Sequence, residues 1–257
     1  MKSEHLSALL NAFERNRQVF TAALLPLFKD AVRQHPELYA TAFAVRFKET
    51  NFIVSAAHAF KPAYENKQIY SYRDGWFSVA GEFKTARVEG DEERDSHNID
   101  VGVLRFDDPT APALTPMTVA NMLPNFRPGQ GELILTMGYP ASKTKVNITA
   151  KSITSLAYAN FGPSLAPSDY PLFGLNSDHH IAFHFDVNNV HGTSGPRGKF
   201  PKPQGMSGSP MWVMRLRDDV TIEFGLIGVL IEHRARNKLL VGATIAAALG
   251  VMHESVG

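Results

Sequence analysis

The stretch Gln204-Gly205-Met206-Ser207-Gly208-Ser209-Pro210 runs straight into the apolar segment Met211-Trp212-Val213-Met214. A serine flanked by glycines at the mouth of a strand lies on chain able to turn tightly, because glycine lacks the Cβ that bars left-handed backbone. A nucleophilic hydroxyl needs such a turn, since the backbone N–H groups beside it must point at the oxygen of a tetrahedral intermediate. Gly205 and Ser207 are spaced to supply those two donors. Taken alone, the run reads equally well as an ordinary turn before a strand.

Two other segments end a strand on a reactive side chain. Phe52-Ile53-Val54-Ser55-Ala56-Ala57-His58 is apolar, narrows to small residues and stops on a histidine. A general base must reach the hydroxyl it deprotonates, and small residues before it let the turn that holds it pack closely. In isolation His58 reads as a structural histidine. Asn98-Ile99-Asp100-Val101-Gly102-Val103-Leu104-Arg105-Phe106 places an aspartate at the head of an otherwise apolar strand. A carboxylate there can fix the tautomer of a histidine and stabilise its imidazolium; by itself it is a turn or cap residue.

The surrounding pattern is one of short strands. Residues 41–47 alternate Thr41, Phe43, Val45, Phe47 against Ala42, Ala44, Arg46, as a half-buried strand does. Apolar runs recur at 52–56, 76–80, 99–106, 132–137, 181–187, 210–214 and 224–231, separated by Gly, Pro, Asn, Asp and charged clusters. That spacing means an all-β barrel or sandwich. Long loops are expected at 61–75, at the acidic stretch 88–97 and at 190–204. Only the ends differ: apolar residues between 7 and 32 recur at three- and four-residue steps, which predicts a helix broken near Pro26, and 244–254 has helical composition.

Composition narrows the chemistry. With 257 residues, 44% of them hydrophobic, the chain can bury a sizeable core without staples. It has no cysteine, which removes disulfides, thiolate metal sites and a cysteine nucleophile, and suits a reducing compartment. The 26 basic and 25 acidic residues leave a formal charge of +1, so no electrostatic argument points to nucleic acid or an anionic membrane. No apolar stretch is long enough to span a bilayer, and 1–29 lacks the form of a signal peptide; a soluble, cytoplasmic protein is expected. His179, His180, His184 and His191 cluster in sequence, and His180 and His184 are four apart as on a helix, but Ile181-Ala182-Phe183-His184-Phe185 reads as a strand, so no metal site is expected.

Taken together, in the order His, Asp, Ser, the three segments resemble the chymotrypsin/trypsin-like serine peptidases, and in particular bacterial trypsin-like peptidase domains. Ser55-Ala56-Ala57-His58 is similar to the family's Thr-Ala-Ala-His, Ile99-Asp100-Val101 to its Asp-Ile-Ala block, and 204–210 to Gly-Asp-Ser-Gly-Gly-Pro. Met137-Gly138-Tyr139-Pro140 and Gly225-Leu226-Ile227-Gly228-Val229 resemble the turn that opens the second barrel and the strand after the nucleophile. The resemblance implies two six-stranded antiparallel β-barrels, about 39–125 and 130–245 in a peptidase domain over 39–257, with an added helical segment at 1–38 and a short C-terminal helix. It implies a catalytic triad of His58, Asp100 and Ser207 with an oxyanion hole at Gly205 and Ser207, acting without a cofactor on a polypeptide substrate or a specific protein target. Met206 stands where members activated by a new N-terminus carry Asp, so activation of that kind is not expected. The family's pocket walls correspond to 200–204 and 230–234, which brings Glu232 and His233 near the cleft: an inward Glu232 favours a basic substrate side chain, an inward His233 an acidic one. The rival expectation is a catalytically inactive protein of the same fold that serves as a protein-binding module.

Overall fold

The structure, a computed structural model, describes residues 3–29, 36–65, 67–86, 99–106, 114–147, 152–188, 190–192, 195–217 and 221–256. The acidic stretch 88–97 lies outside the described residues. Two curled, mostly antiparallel sheets make up the body of the molecule.

The first sheet is built from β1 (Leu24–Lys29), β2 (Glu37–Phe47), β3 (Thr50–Ala56), β4 (Tyr70–Tyr72), β5 (Trp76–Ser78), β6 (Glu82–Thr85), β7 (Val101–Arg105) and the two-residue β8 (Met117–Thr118). Its order is β5-β4-β1-β2-β3-β7-β6, and β8 pairs in parallel with β2. The second half of the chain forms β9 (Leu133–Gly138), β10 (Thr144–Asn147), β11 (Ser152–Ser155), β12 (Tyr158–Pro163), β13 (His180–His184), β14 (Val190–Gly192), β15 (Gly195–Gly198), β16 (Pro210–Arg217), β17 (Thr221–Arg234) and β18 (Leu239–Thr244). Six of these make the second sheet, in the order β12-β9-β16-β17-β18-β13, and β10–β11 and β14–β15 are separate hairpins. A bridge between Ser164 and Phe183 joins its two edges, so this sheet curls back on itself.

The helices are α1 (Ser3–Ala22), the single turn α2 (Lys61–Tyr64) and α3 (Ile245–Val256). The helical reading of the N-terminal segment needs correction: α1 stops at Ala22 and the chain continues as β1. The cause is Pro26, whose ring in a helix collides with the carbonyl four residues back, at Ala22. Leu24, Leu25, Leu27 and Phe28 satisfy helical spacing, yet all four are buried on the two faces of a strand paired with β2 and β4. The expected loop at 61–75 contains α2 and β4, and that at 190–204 contains β14 and β15.

Burial falls into layers. Leu25, Leu27, Ala40, Ala42, Ile53 and Leu104 fill the first sheet's interior, and Ile134, Phe183, Met211, Val213, Ile227 and Leu240 fill the second's. Between the sheets a third core joins Phe43, Val45, Val54 and Val103 to Leu135, Met137, Trp212 and Val229. Strand β2 is therefore buried on both faces from Ala40 to Val45, not on one as its alternation suggests. Its small Ala40 and Ala42 face the first interior, and its larger Phe43 and Val45 face the core between sheets.

The terminal helices cross over. Helix α1 precedes the first sheet but packs on the second, with Phe13 edge-on to Phe161 (5.0 Å) and Phe20 edge-on to Trp212 (4.9 Å) and Phe224 (5.0 Å). Helix α3 follows the second sheet and lies against β3 and β7 of the first as well as β17. Among the described residues no helix is long and apolar enough to cross a membrane.

Candidate active site

Strand β3 ends at Ala56, and the next four residues, Ala57–Phe60, turn as a short 3₁₀ helix that carries His58. Glycine sets how closely that turn lies on the neighbouring strand β7: a Cβ on Gly102 would come within 2.7 Å of the Phe60 ring and 3.1 Å of the Ala57 Cα. The Tyr39 hydroxyl donates to the Ala59 carbonyl at 2.7 Å and pins the turn from β2; burial holds this phenol well above its ordinary titration range.

Asp100, one residue before β7, grips the same turn through three contacts. Its carbonyl accepts from Ala57 N–H (3.0 Å), its Oδ1 accepts from His58 N–H (2.9 Å), and its Oδ2 bonds His58 Nδ1. The imidazole is thereby oriented with Nδ1 toward the carboxylate and Nε2 away from it. The Asp100 hydrogen bond raises the His58 pKa above its ordinary 6.5; partial burial opposes this and the negative charge of Asp100 adds to it.

Ser207 lies on the turn before β16. Gly205 and Gly208 adopt left-handed backbone, with φ of 91° and 88°. At Gly208 a Cβ would stand 2.0 Å from Ser55 Oγ and 2.1 Å from the Thr41 carbonyl, so the turn is pressed against β2 and β3 three residues before His58. Within the turn Met206 N–H donates to Pro203 (2.9 Å), Gly208 N–H to Leu230 (2.7 Å) and Ser209 N–H to Met206 (3.0 Å). Among the described residues the N–H groups of Gly205 and Ser207 donate to no protein acceptor. The Ser207 hydroxyl likewise makes no hydrogen bond among the described residues, to His58 or to any other group. Met206 is fully buried among the interior residues of the second sheet, alongside Phe185 and Leu230; an apolar side chain anchors the turn at this point.

The structure thus brings His58 and Asp100 together and sets the Ser207 turn against the strands that lead to His58. The two expected pocket residues part company. Glu232 is exposed and paired with Arg234 (2.8 Å), whose guanidinium also binds the Phe173 carbonyl. His233 is half-buried, its ring edge-on to Phe185 at 5.4 Å, and Phe185 in turn meets Phe200 at 5.4 Å. Burial lowers the His233 pKa and the neighbouring Glu232 counters in part. Away from this region, Met122, Leu123, Phe126, Arg215 and Glu223 line an open cleft of about 380 Å³ at the connection between the sheets. His180 is buried with Nδ1 at Asn176, while His184, at the far end of β13, is exposed.

The overall architecture has counterparts among known structures. The atomic-resolution structure of HBP, a heparin-binding protein with a trypsin-like serine protease fold, matches with a TM-score of 0.56 over 91% of this chain and 90% of that one. The fold is the trypsin-like double barrel. Sequence identity in that match is 10%, so the trypsin-like likeness is one of architecture. By sequence the chain matches no protein-family model and no curated protein.

Thr41, Tyr39, Ser55 and Gly102 were not singled out by their residue type. Each acts through position, and the one legible signal was the run of small residues before His58.

Proposed function

We propose that this trypsin-like chain is a serine endopeptidase. Ser207 attacks the substrate carbonyl while His58 takes its proton, and His58 then returns the proton to the leaving amine as the acyl-enzyme forms. Water repeats the cycle to release the acid. Asp100 keeps Nδ1 of His58 protonated, so that Nε2 is the basic nitrogen, and it stabilises the imidazolium during transfer. The N–H groups of Gly205 and Ser207 receive the oxyanion. No step requires a cofactor.

The observation that carries this reading is the His58–Asp100 pair, with the Ser207 turn packed on the strands that lead to it and the Gly205 and Ser207 N–H groups donating to no acceptor among the described residues. A structural histidine has no need of a carboxylate on Nδ1 with its opposite edge left open; the His58 side chain is 48% exposed.

The second reading, a protein-binding module that keeps the fold without the chemistry, is favoured by the Ser207 hydroxyl, which is not bonded to His58. A fluorophosphonate probe decides between them. Labelling of the wild type that is lost in Ser207→Ala and in His58→Ala is the expected result. A folded wild type that stays unlabelled from pH 6 to 9 leaves the binding module as the reading.

At the substrate wall, Glu232 is turned to Arg234 and solvent, which favours the reading in which His233, backed by Phe185 and Phe200, meets the substrate side chain. Cleavage of a peptide library tests this. Preference for acidic residues supports it, and preference for basic residues restores Glu232.

A further inference from the structure

Thr41 is the residue on which the two barrels and the Ser207 turn converge. It lies on β2, two residues beyond the last β2–β3 pair, Phe43 with Val54, where β3 runs on to Ala56 paired only with β7. Its backbone groups on that side therefore lack a ladder partner and find others. Thr41 N–H donates to the Ser207 carbonyl at 2.9 Å, and its carbonyl accepts from Ser55 Oγ at 2.7 Å. The side chain is equally committed: Oγ1 donates to the Gly205 carbonyl at 2.8 Å and accepts from Tyr139 N–H, in the second barrel, at 2.9 Å. Thr41 is 0% exposed, so water cannot replace any of these partners.

The two carbonyls it holds, Gly205 and Ser207, bracket the Ser207 N–H along the chain. The remaining peptides of the turn are fixed independently. Ala141 N–H holds the Gln204 carbonyl at 2.8 Å, which sets the plane containing the Gly205 N–H, and Ser209 N–H holds the Met206 carbonyl. The peptide between Gly205 and Met206 depends on Thr41 Oγ1 and on the Met206 N–H bond to Pro203. Its rotation would swing the neighbouring N–H groups away from a common point, and glycine at 205 offers little resistance of its own.

We propose that the Thr41 hydroxyl is a positioning residue that locks the Gly205–Met206 peptide so that the N–H groups of Gly205 and Ser207 converge on one oxygen. This rests on the peptidase reading for its catalytic consequence, though the locking is a property of the turn itself. A threonine hydroxyl suits the task because it is donor and acceptor at once, and here both capacities are used by backbone of the second barrel, so the one side chain ties β2 to it twice.

The test compares Thr41→Val, which keeps the β-branched shape and removes the hydroxyl, with Thr41→Ser and with Ser55→Ala. Ser55→Ala deletes an equally buried hydrogen bond at the same junction without touching Gly205. Amide hydrogen exchange reads the turn directly: in Thr41→Val the Met206 amide exchanges at least tenfold faster than in wild type, and in Thr41→Ser it does not. With a peptide ester, Thr41→Val lowers kcat by about 10–100-fold, less than the 10²–10³ for complete loss of an oxyanion donor, with KM near its wild-type value. Thr41→Ser restores kcat. Unchanged exchange in a folded Thr41→Val protein, or an equal effect in Ser55→Ala, overturns the proposal. If the wild type takes no fluorophosphonate label yet Thr41→Val still loosens the turn, the peptidase reading fails while the locking stands.

Discussion

His58 keeps about half of its side chain in solvent while its Nδ1 edge faces Asp100. Because that hydrogen bond favours the imidazolium, the proton is held to a higher pH than in a free histidine. The base form needed for attack accordingly appears only as pH rises through the elevated value. The expected pH profile of kcat/KM climbs with a midpoint above 6.5, and Asp100→Asn moves the midpoint down as well as lowering the plateau. A rise centred at or below 6.5 in the wild type contradicts the assignment. Linkage gives the matching stability trend. The pair contributes fully below 6.5, the unfolded value, and its contribution fades as pH rises through the folded one. At this scale His58, Asp100 and Ser207 could be read directly, since each is a chemically reactive type at the end of an apolar strand. Thr41 could not: in sequence it is one polar member of an alternating run, and its role exists only where β2 parts from β3.

Among the elements, β7 is the one on which the geometry around His58 turns. Gly102 gives it a bare backbone face against which Ala57 and Phe60 rest, with Phe83 closing the other side. Gly102→Ala places a methyl 2.7 Å from Phe60 and 2.8 Å from Phe83. We expect a cost of about 1–3 kcal/mol in urea unfolding, typical of an overpacked core, together with a fall in kcat/KM as the turn bearing His58 is pushed off β7. Unaltered stability and activity would show that the contact has slack. The strands at 210–217 and 221–234 were legible from their apolar runs, and β12 was not. Gly162 and Pro163 are residue types more common in turns than in strands, yet Gly162 is there because a Cβ would meet the His184 carbonyl at 2.1 Å. The misread segment at 24–29 has a related origin. Leu24, Leu25, Leu27 and Phe28 fit either period, and only the collision between Pro26 and the Ala22 carbonyl decides.

Across the whole molecule the terminal helices exchange places: α1, attached to the first sheet, rests on β16 of the second, and α3, attached to the second, rests on β3 and β7 of the first. Nothing in the composition of either helix indicates which sheet will receive it, because an amphipathic face fits any apolar surface; this part of the architecture was beyond sequence reading. The exchange means that neither half of the chain buries its own terminal helix alone, since α1 sits on β16 and α3 is shared between β17 and the strands β3 and β7. If the chain is severed in the exposed Gly129-Gln130-Gly131 connection, each piece keeps a helix seated wholly or in part on the other. Two such pieces, produced apart and mixed, should therefore reassociate into a stoichiometric complex that regains the wild-type circular dichroism spectrum. If instead they elute separately by size-exclusion chromatography, each folded and content, the halves are independent and the clasp is ornamental.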